Sequence, residues 1–233
     1  MVYITGDIHG DFSRFTSPAA KRLKAGDILA VCGDFGFFWD DSKQERRLRA
    51  KLEKLPYTIA FLDGRHENFT LLDQYPVTEW NGGRVQEVGK NLLHLMRGEI
   101  YEIEGESYFV FGGGESPDHA FRTDGVGWWE EEMPSAREIL NGADNLEKAH
   151  FQVDYVLTHE PSGRSSGYLS ADTPLNGVNV FLDRVEDNVT FQCWFFGCLH
   201  LDKTISSRHR AIFRDIVPTG GEAAGAGRGG RRR

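Results

Sequence analysis

Short apolar, β-branched runs alternate along the chain with stretches in which apolar positions recur every three or four residues. Such alternation predicts a layered α/β or α+β domain. Val2–Thr5 predicts a strand stopping at Gly6-Asp7, Asp27–Cys32 a second stopping at Gly33-Asp34, and Thr58–Leu62 a third stopping at Asp63-Gly64. Between the first two, Ser17-Pro18 offers an N-cap and an N1 proline, which predicts a helix running to about Gly26. Gln44–Leu55 puts Leu48, Leu52 and Leu55 on one helical face and charged side chains on the other. The Asn81-Gly82-Gly83 turn opens a β-rich middle. There Tyr101 and Ile103 alternate with Glu102 and Glu104, and Tyr108–Phe111 returns across a turn centred on Gly105. A capping box from Ser135 to Glu138 starts a helix with Ile139, Ala143, Leu146 and Ala149 as its inner stripe. Val153–Leu157, Phe191–Phe196 and Ala211–Ile216 complete the predicted strands. Residues 219–233, almost all Gly, Ala and Arg, cannot pack and are expected to form a disordered tail, leaving residues 1–218 as one domain.

Composition narrows the setting. A chain of 233 residues can bury enough surface to fold without cross-links. Its three cysteines, Cys32, Cys193 and Cys198, follow no zinc-finger or CxxC spacing. With no secretory signal in residues 1–30 and no apolar run long enough for a bilayer, a cytoplasmic protein without a membrane partner is expected. Lys and Arg number 27 against 35 Asp and Glu, a net charge of −8. That balance argues against nucleic acid as a partner and makes clustered carboxylates candidates for holding a cation.

Candidate chemistry collects at strand ends. Asp7 and His9, Asp34, His66, His159 and His200 each follow a predicted strand, where the loops of open α/β sheets aim side chains into a shared crevice. Arg97, Arg122 and Arg164 lie in loops and are candidate phosphate contacts, whereas His94, His119, His150 and His209 fall outside the pattern. Phe37, Phe38, Trp39, Trp128 and Trp129 read as core or lid packing before pocket walls. Asp40-Asp41 and Glu130–Glu132 read as solvated loop faces.

In order, the motifs are Gly6-Asp7-Ile8-His9-Gly10, Gly33-Asp34, Gly64-Arg65-His66-Glu67, Thr158-His159 and Gly197-Cys198-Leu199-His200. This set resembles that of the calcineurin-like metallophosphoesterases, small bacterial members in particular, from residue 1 to about 217. The resemblance implies a four-layer αββα sandwich, two mixed β-sheets flanked by helices, with the site at one end. It also implies metal-dependent hydrolysis of a phosphomonoester or phosphodiester by a metal-activated water. Asp7, His9, Asp34 and His200 would hold one ion. Asp34 would bridge to a second, whose other ligands come from positions 65, 159 and 198, and His66 would act as general acid. Mixed nitrogen and oxygen ligands suit a divalent Mn, Fe or Zn. The implied substrate is a small-molecule phosphate ester or a nucleotide.

Two positions depart from the family pattern. Arg65 stands where the family has Asn, and Cys198 where it has the first His of Gly-His-x-His. A guanidinium has no acceptor and cannot ligate a metal. In one outcome Arg65 replaces the second ion, grips phosphate and draws on the Cys198 thiolate and Glu160 for charge balance. In the other it turns away, and Asp34, His159 and Cys198 hold a second ion. A retired phosphate- or nucleotide-binding protein and a mononuclear iron enzyme are the alternative functions. The loops over 112–134 and 161–180 are the ones expected to select the substrate.

Overall fold

The computed structural model describes residues 1–169 and 175–220. Its first half runs β1 (Val2–Thr5), β2 (Ile28–Cys32), α1 (Lys43–Leu52), β3 (Thr58–Leu62), α2 (Phe69–Leu72), β4 (Val77–Trp80), β5 (Gly83–Gly89) and β6 (Leu92–Leu95). β7 (Glu99–Ile103), β8 (Glu106–Phe111), α3 (Ala136–Lys148), β9 (Tyr155–Thr158), α4 (Gly163–Leu169) and α5 (Gly177–Asn188) follow. The chain then adds β10 (Cys193–Phe196), β11 (Lys203–Thr204), β12 (His209–Ala211) and β13 (Val217–Pro218).

These strands form two mixed sheets. One has the order β13-β1-β2-β3-β6-β5-β4, with β1, β2, β3 and β6 parallel. The other has the order β11-β12-β10-β9-β8-β7, with β12, β10, β9 and β8 parallel. The strand period of two explains the layers. Val2, Ile4, Ala30, Cys32, Ala60 and Leu62 of the first sheet share one apolar core with Tyr108, Val110, Tyr155, Leu157 and Phe195 of the second. The intervening residues Leu29, Val31, Ile59 and Phe61 face outward onto Leu48 and Leu52 of α1 and the Phe35, Phe37 and Phe38 rings. Phe109, Phe111, Val156, Trp194 and Phe196 face Leu146 of α3 and Val178, Leu182 and Val185 of α5. Helix, sheet, sheet and helix therefore stack as four layers. No described helix is long and apolar enough to cross a membrane.

Helix ends follow their caps. Ser42 accepts from the Glu45 N–H to start α1, and Ser135 and Glu138 make the reciprocal box at α3. Several expectations fail locally. The helix from Ser17 to Gly26 is instead two short 3-10 turns, Phe12–Thr16 and Ala20–Arg22. Only Phe15, Ala20 and Leu23 of that stretch are buried, too few to hold a full helix on the sheet. Ala143 is exposed on α3, where Gly142 and Leu146 make the inward contact. Ala211–Ile216 is not one strand: β12 ends at Ala211 and the chain bends before β13. Thr219 is not tail, since its N–H donates to Val2 O at 3.1 Å and its carbonyl accepts from the Tyr155 hydroxyl at 3.0 Å. The rest of the expected tail, residues 221–233, lies outside the described residues.

Candidate metal centre

Parallel pairing delivers five strand ends to one edge. Asp7 and His9 follow β1, Asp34 follows β2, and Arg65 and His66 follow β3 in the larger sheet; His159 follows β9, and Cys198 and His200 follow β10 in the smaller. The turns that carry them are strained. Asp7, His9, Asp34, Cys198 and His200 have φ between +39° and +66°, half of the ten non-glycine residues in that region among those described. Each such residue costs about 1–2 kcal/mol, sustained here by the packing around it. The His9 N–H donates to Asp34 O at 2.8 Å and the Gly10 N–H to Phe35 O at 3.0 Å. The preceding glycines are steric necessities. A Cβ at Gly33 would lie 2.1 Å from His159 Nδ1, and one at Gly64 would lie 2.3 Å from Asp34 Oδ1.

Asp7, His9, Asp34 and His200 each place a ligand atom within 4.8 Å of the others. His9 Nε2 lies 2.9 Å from His200 Nε2 and 3.6 Å from Asp34 Oδ2. Two ring nitrogens this close must share a proton or a cation. Asp7 and Asp34 are each 1% exposed, and Asp7 Oδ2 has no hydrogen-bond partner among the described residues. Burial raises Asp7 to about 7, with His159 opposing and Asp34 adding to the shift. Burial lowers His9 to about 4, which keeps its ring neutral and a nitrogen lone pair free. An orphaned buried carboxylate oxygen beside neutral imidazoles fits a divalent transition cation, which would neutralise charge that the fold otherwise leaves uncompensated.

The other expected set is arranged differently. His159 is fully buried, with Nδ1 3.6 Å from Asp7 Oδ1 and Nε2 3.6 Å from Asp34 Oδ1. Burial opposes its protonation, but Asp34, Cys198 and Asp7 outweigh it and raise its pKa well above the ordinary value. Its Nε2 has no hydrogen-bond partner among the described residues. The Cys198 N–H donates to Asp7 Oδ1 at 3.0 Å, and its thiol is free and half-buried. Among the described residues, Asp34, His159 and Cys198 do not form a ligand group of their own.

Arg65 donates its N–H to Asp34 Oδ1 at 2.6 Å. Its guanidinium reaches only Glu115 O, at 3.4 Å, and Nε is buried without a partner among the described residues. Burial works against this charge, yet Cys198, Asp34 and Glu160 raise its pKa. Glu160, expected to pair with Arg65, is held instead by Asn176 Nδ2 at 3.3 Å and Asn179 Nδ2 at 2.8 Å. Arg65 and Cys198 line a cavity of about 350 Å³ with Glu115, His119 and Ser166.

Asp34 is the hub, facing His9 and His66 with Oδ2 and accepting from the Arg65 and His66 amides with Oδ1. His66 Nε2 is 4.0 Å from Asp34 Oδ2, and its side chain remains 38% exposed. Burial lowers its pKa, Asp34 opposing and Arg65 assisting, which makes its protonated form a readier acid.

Bracing residues carry no sign of that role in the sequence, even Glu67 of the third motif. Glu67, 1% exposed, accepts from the Phe35 N–H at 2.6 Å and the Gly64 N–H at 2.7 Å, tying the second motif to the third. Arg14 donates to Asp7 O at 3.2 Å, Gly6 O at 3.2 Å and Phe213 O, and Phe213 stacks on His200 with centroids 4.7 Å apart. Arg97 is not a phosphate contact: it is 4% exposed and paired to Asp63. The same carboxylate meets His94 Nε2 at 3.3 Å, so His94 belongs to a network directly behind the third motif. Arg164 pairs with Asp187 on the surface, while Arg122 is held by Asp118 at 2.9 Å and by Gly127 O at 2.9 Å. Glu132 is 0% exposed, not a solvated loop residue.

No curated protein sequence matches the chain. It is similar over 91% of its length to a putative 5'-nucleotidase from Staphylococcus aureus, solved in complex with alpha-ketoglutarate, at 14% identity and a TM-score of 0.47. The match covers 48% of that protein, so the chain spans about half its length. It is also similar to a phosphopantetheinyl hydrolase from Mycobacterium tuberculosis, at 16% identity and a TM-score of 0.39, over 91% of this chain and 87% of that one. The calcineurin-like phosphoesterase pattern matches residues 1–201, which span all five motifs, and the chain belongs to that family.

Proposed function

We propose that the protein hydrolyses a small-molecule phosphate ester with one divalent transition cation, Mn, Fe or Zn, held by Asp7, His9, Asp34 and His200. The observation that carries this reading is the cluster of four donors within 4.8 Å, two of them buried carboxylates and one with an orphaned oxygen. A cation bound there supplies Lewis acidity, acidifying water and neutralising charge on a phosphoryl group.

The chain's own residues complete the site. Asp34 orients the His66 loop through the backbone amides of Arg65 and His66. His66, on the open side of the cluster, delivers a proton to the leaving ester oxygen. Arg65 takes the second ion's task, holding phosphoryl oxygens with a permanently charged, two-pronged donor. Its lack of a carboxylate within 4.0 Å among the described residues supports that role. His159, fully buried 3.6 Å from both Asp7 Oδ1 and Asp34 Oδ1, packs against the two carboxylates and fixes their spacing.

The test is an assay of the Mn-loaded protein on nitrophenyl phosphate monoester and diester, with elemental analysis of the same sample. Turnover that His66→Ala abolishes, with one ion per chain, is expected. Turnover of neither ester above the His66→Ala control overturns the reading.

A further inference from the structure

A cavity of about 470 Å³ opens off the donor cluster, lined by His9 and His66 together with Trp39, Asp40, Gln44 and Leu48. This is the size range of small-molecule sites. Its aromatic wall is firmly held. The Trp39 N–H donates to Glu45 Oε1 at 2.7 Å, and its carbonyl accepts from Asn68 Nδ2 at 2.7 Å. Glu45 is locked in turn by Arg49 Nη1 at 2.9 Å, which also donates to Phe37 O at 3.0 Å. Trp129 closes one edge of the indole, with centroids 5.2 Å apart and rings at 78°, and is anchored by its Nε1 on Thr70 Oγ1 at 3.0 Å. A wall already ordered loses little entropy when a ligand arrives. Phe35, Phe37 and Phe38 on the same loop are 0% exposed, yet Trp39 keeps part of its surface open. An indole left open among sealed rings is a ready stacking surface.

We propose that this cavity is a leaving-group subsite for a nucleoside, the base stacking on Trp39 and the ester oxygen reaching His66, whose ring centroid lies 6.0 Å from the indole. The subsite rests on the phosphoester reading above and names its substrate class. Base size and flatness match Trp39, and the polar wall sets the pairing. Asp40, exposed on the wall, accepts the Ser42 N–H at 2.8 Å with Oδ1, and Oδ2 makes no hydrogen bond of good geometry among the described residues. A carboxylate only accepts, so it selects an amine or ring N–H on the base edge. No Lys or Arg lines the cavity among the described residues, and Asp40 repels further phosphates. Nucleoside monophosphates are therefore preferred over di- and triphosphates.

Calorimetric titration of adenosine, which carries no phosphate, into the full-length Mn-loaded protein reads the subsite apart from turnover. Adenosine is expected to bind, Trp39→Ala to weaken it roughly ten- to a hundred-fold, and Trp39→Phe to restore most of the loss. If Trp39→Ala fails to fold, the exposed Asp40→Ala carries the test, with a loss of about ten-fold. Equal affinity in wild type and Trp39→Ala, or unchanged affinity in Asp40→Ala, overturns the subsite. So does absent adenosine binding in a protein that hydrolyses nitrophenyl phosphate, an outcome that leaves the phosphoester reading intact. Trp39-dependent binding without hydrolysis of any ester upholds the subsite and removes the phosphoester reading instead.

Discussion

Two buried ionic clusters take carboxylates from the ends of adjacent strands of the larger sheet, Asp63 after β3 and Asp7 and Asp34 after β1 and β2, and they are built on opposite terms. Asp63, at the strand's end, is 1% exposed and satisfied, with Arg97 Nε at 2.8 Å and His94 Nε2 at 3.3 Å. Burial would raise its pKa, but Arg97 and His94 overcome that and hold the carboxyl well below the usual carboxylate range. Asp7 and Asp34 are buried as deeply, with no Arg or Lys in salt-bridge contact among the described residues, and Asp7 keeps an orphaned oxygen. The first cluster balances its charge from within and serves stability. The second keeps an orphaned carboxylate oxygen beside the His9 and His200 ring nitrogens, an arrangement suited to an added cation.

Exchanging one carboxylate in each cluster separates the two. Asp34→Asn is expected to lower turnover roughly a thousand-fold, several kcal/mol of transition-state stabilisation, with loss of bound metal by elemental analysis and a thermal unfolding curve close to that of metal-free wild type. Asp63→Asn is expected to do the reverse. It leaves Arg97 buried without its counter-charge and costs about 3 kcal/mol in urea unfolding, while the metal stays bound. A thousand-fold loss of turnover from Asp63→Asn at unchanged stability would erase the distinction.

Glu132 sharpens the comparison as a buried carboxyl belonging to neither cluster. Neither of its oxygens has a hydrogen-bond partner among the described residues, and burial raises its pKa to about 7, with Ser116 opposing. The folded value lies above the ordinary 4.5. Its contribution to stability is therefore fully present below pH 4.5 and is lost as pH rises through about 7. Glu132→Gln is expected to stabilise the protein by ~2 kcal/mol at pH 8 and by almost nothing at pH 4, read from unfolding curves at the two pH values. Equal effects at both would assign the carboxyl a partner.

The smallest shift tests the divide within the site. Arg65→Asn with Cys198→His removes the guanidinium and adds an imidazole, so metal content should rise from one ion per chain toward two. Unchanged content would mean that neither residue governs the second position.

The sequence was legible where a local pattern controls the outcome. The strands follow from period-two apolar runs, and each donor turn from a glycine at the strand's end, because those constraints act between neighbours. The Ser17-Pro18 signal was real for a single turn, but nothing local revealed that only three apolar side chains there would meet the sheet. Arg97 lies 34 residues from Asp63, and Arg14 lies 199 residues from Phe213, separations at which sequence spacing carries no pairing information. Arg97 therefore looked like a loop cation free for phosphate. Glu132 sits in a run of three glutamates and was masked by its neighbours, since only the packing of the 112–134 loop seals one of them from water.

Arg14 fastens the carbonyls after β1 to Phe213, which backs His200 across the junction of the two sheets. The sandwich is thus riveted at the very edge where the four donor side chains are mounted. Prising that seam apart would carry His200 away from Asp7 and His9 in the same movement. Loss of the ion and parting of the layers then become one event, and a tightly held metal would act as a second fastener beside the guanidinium.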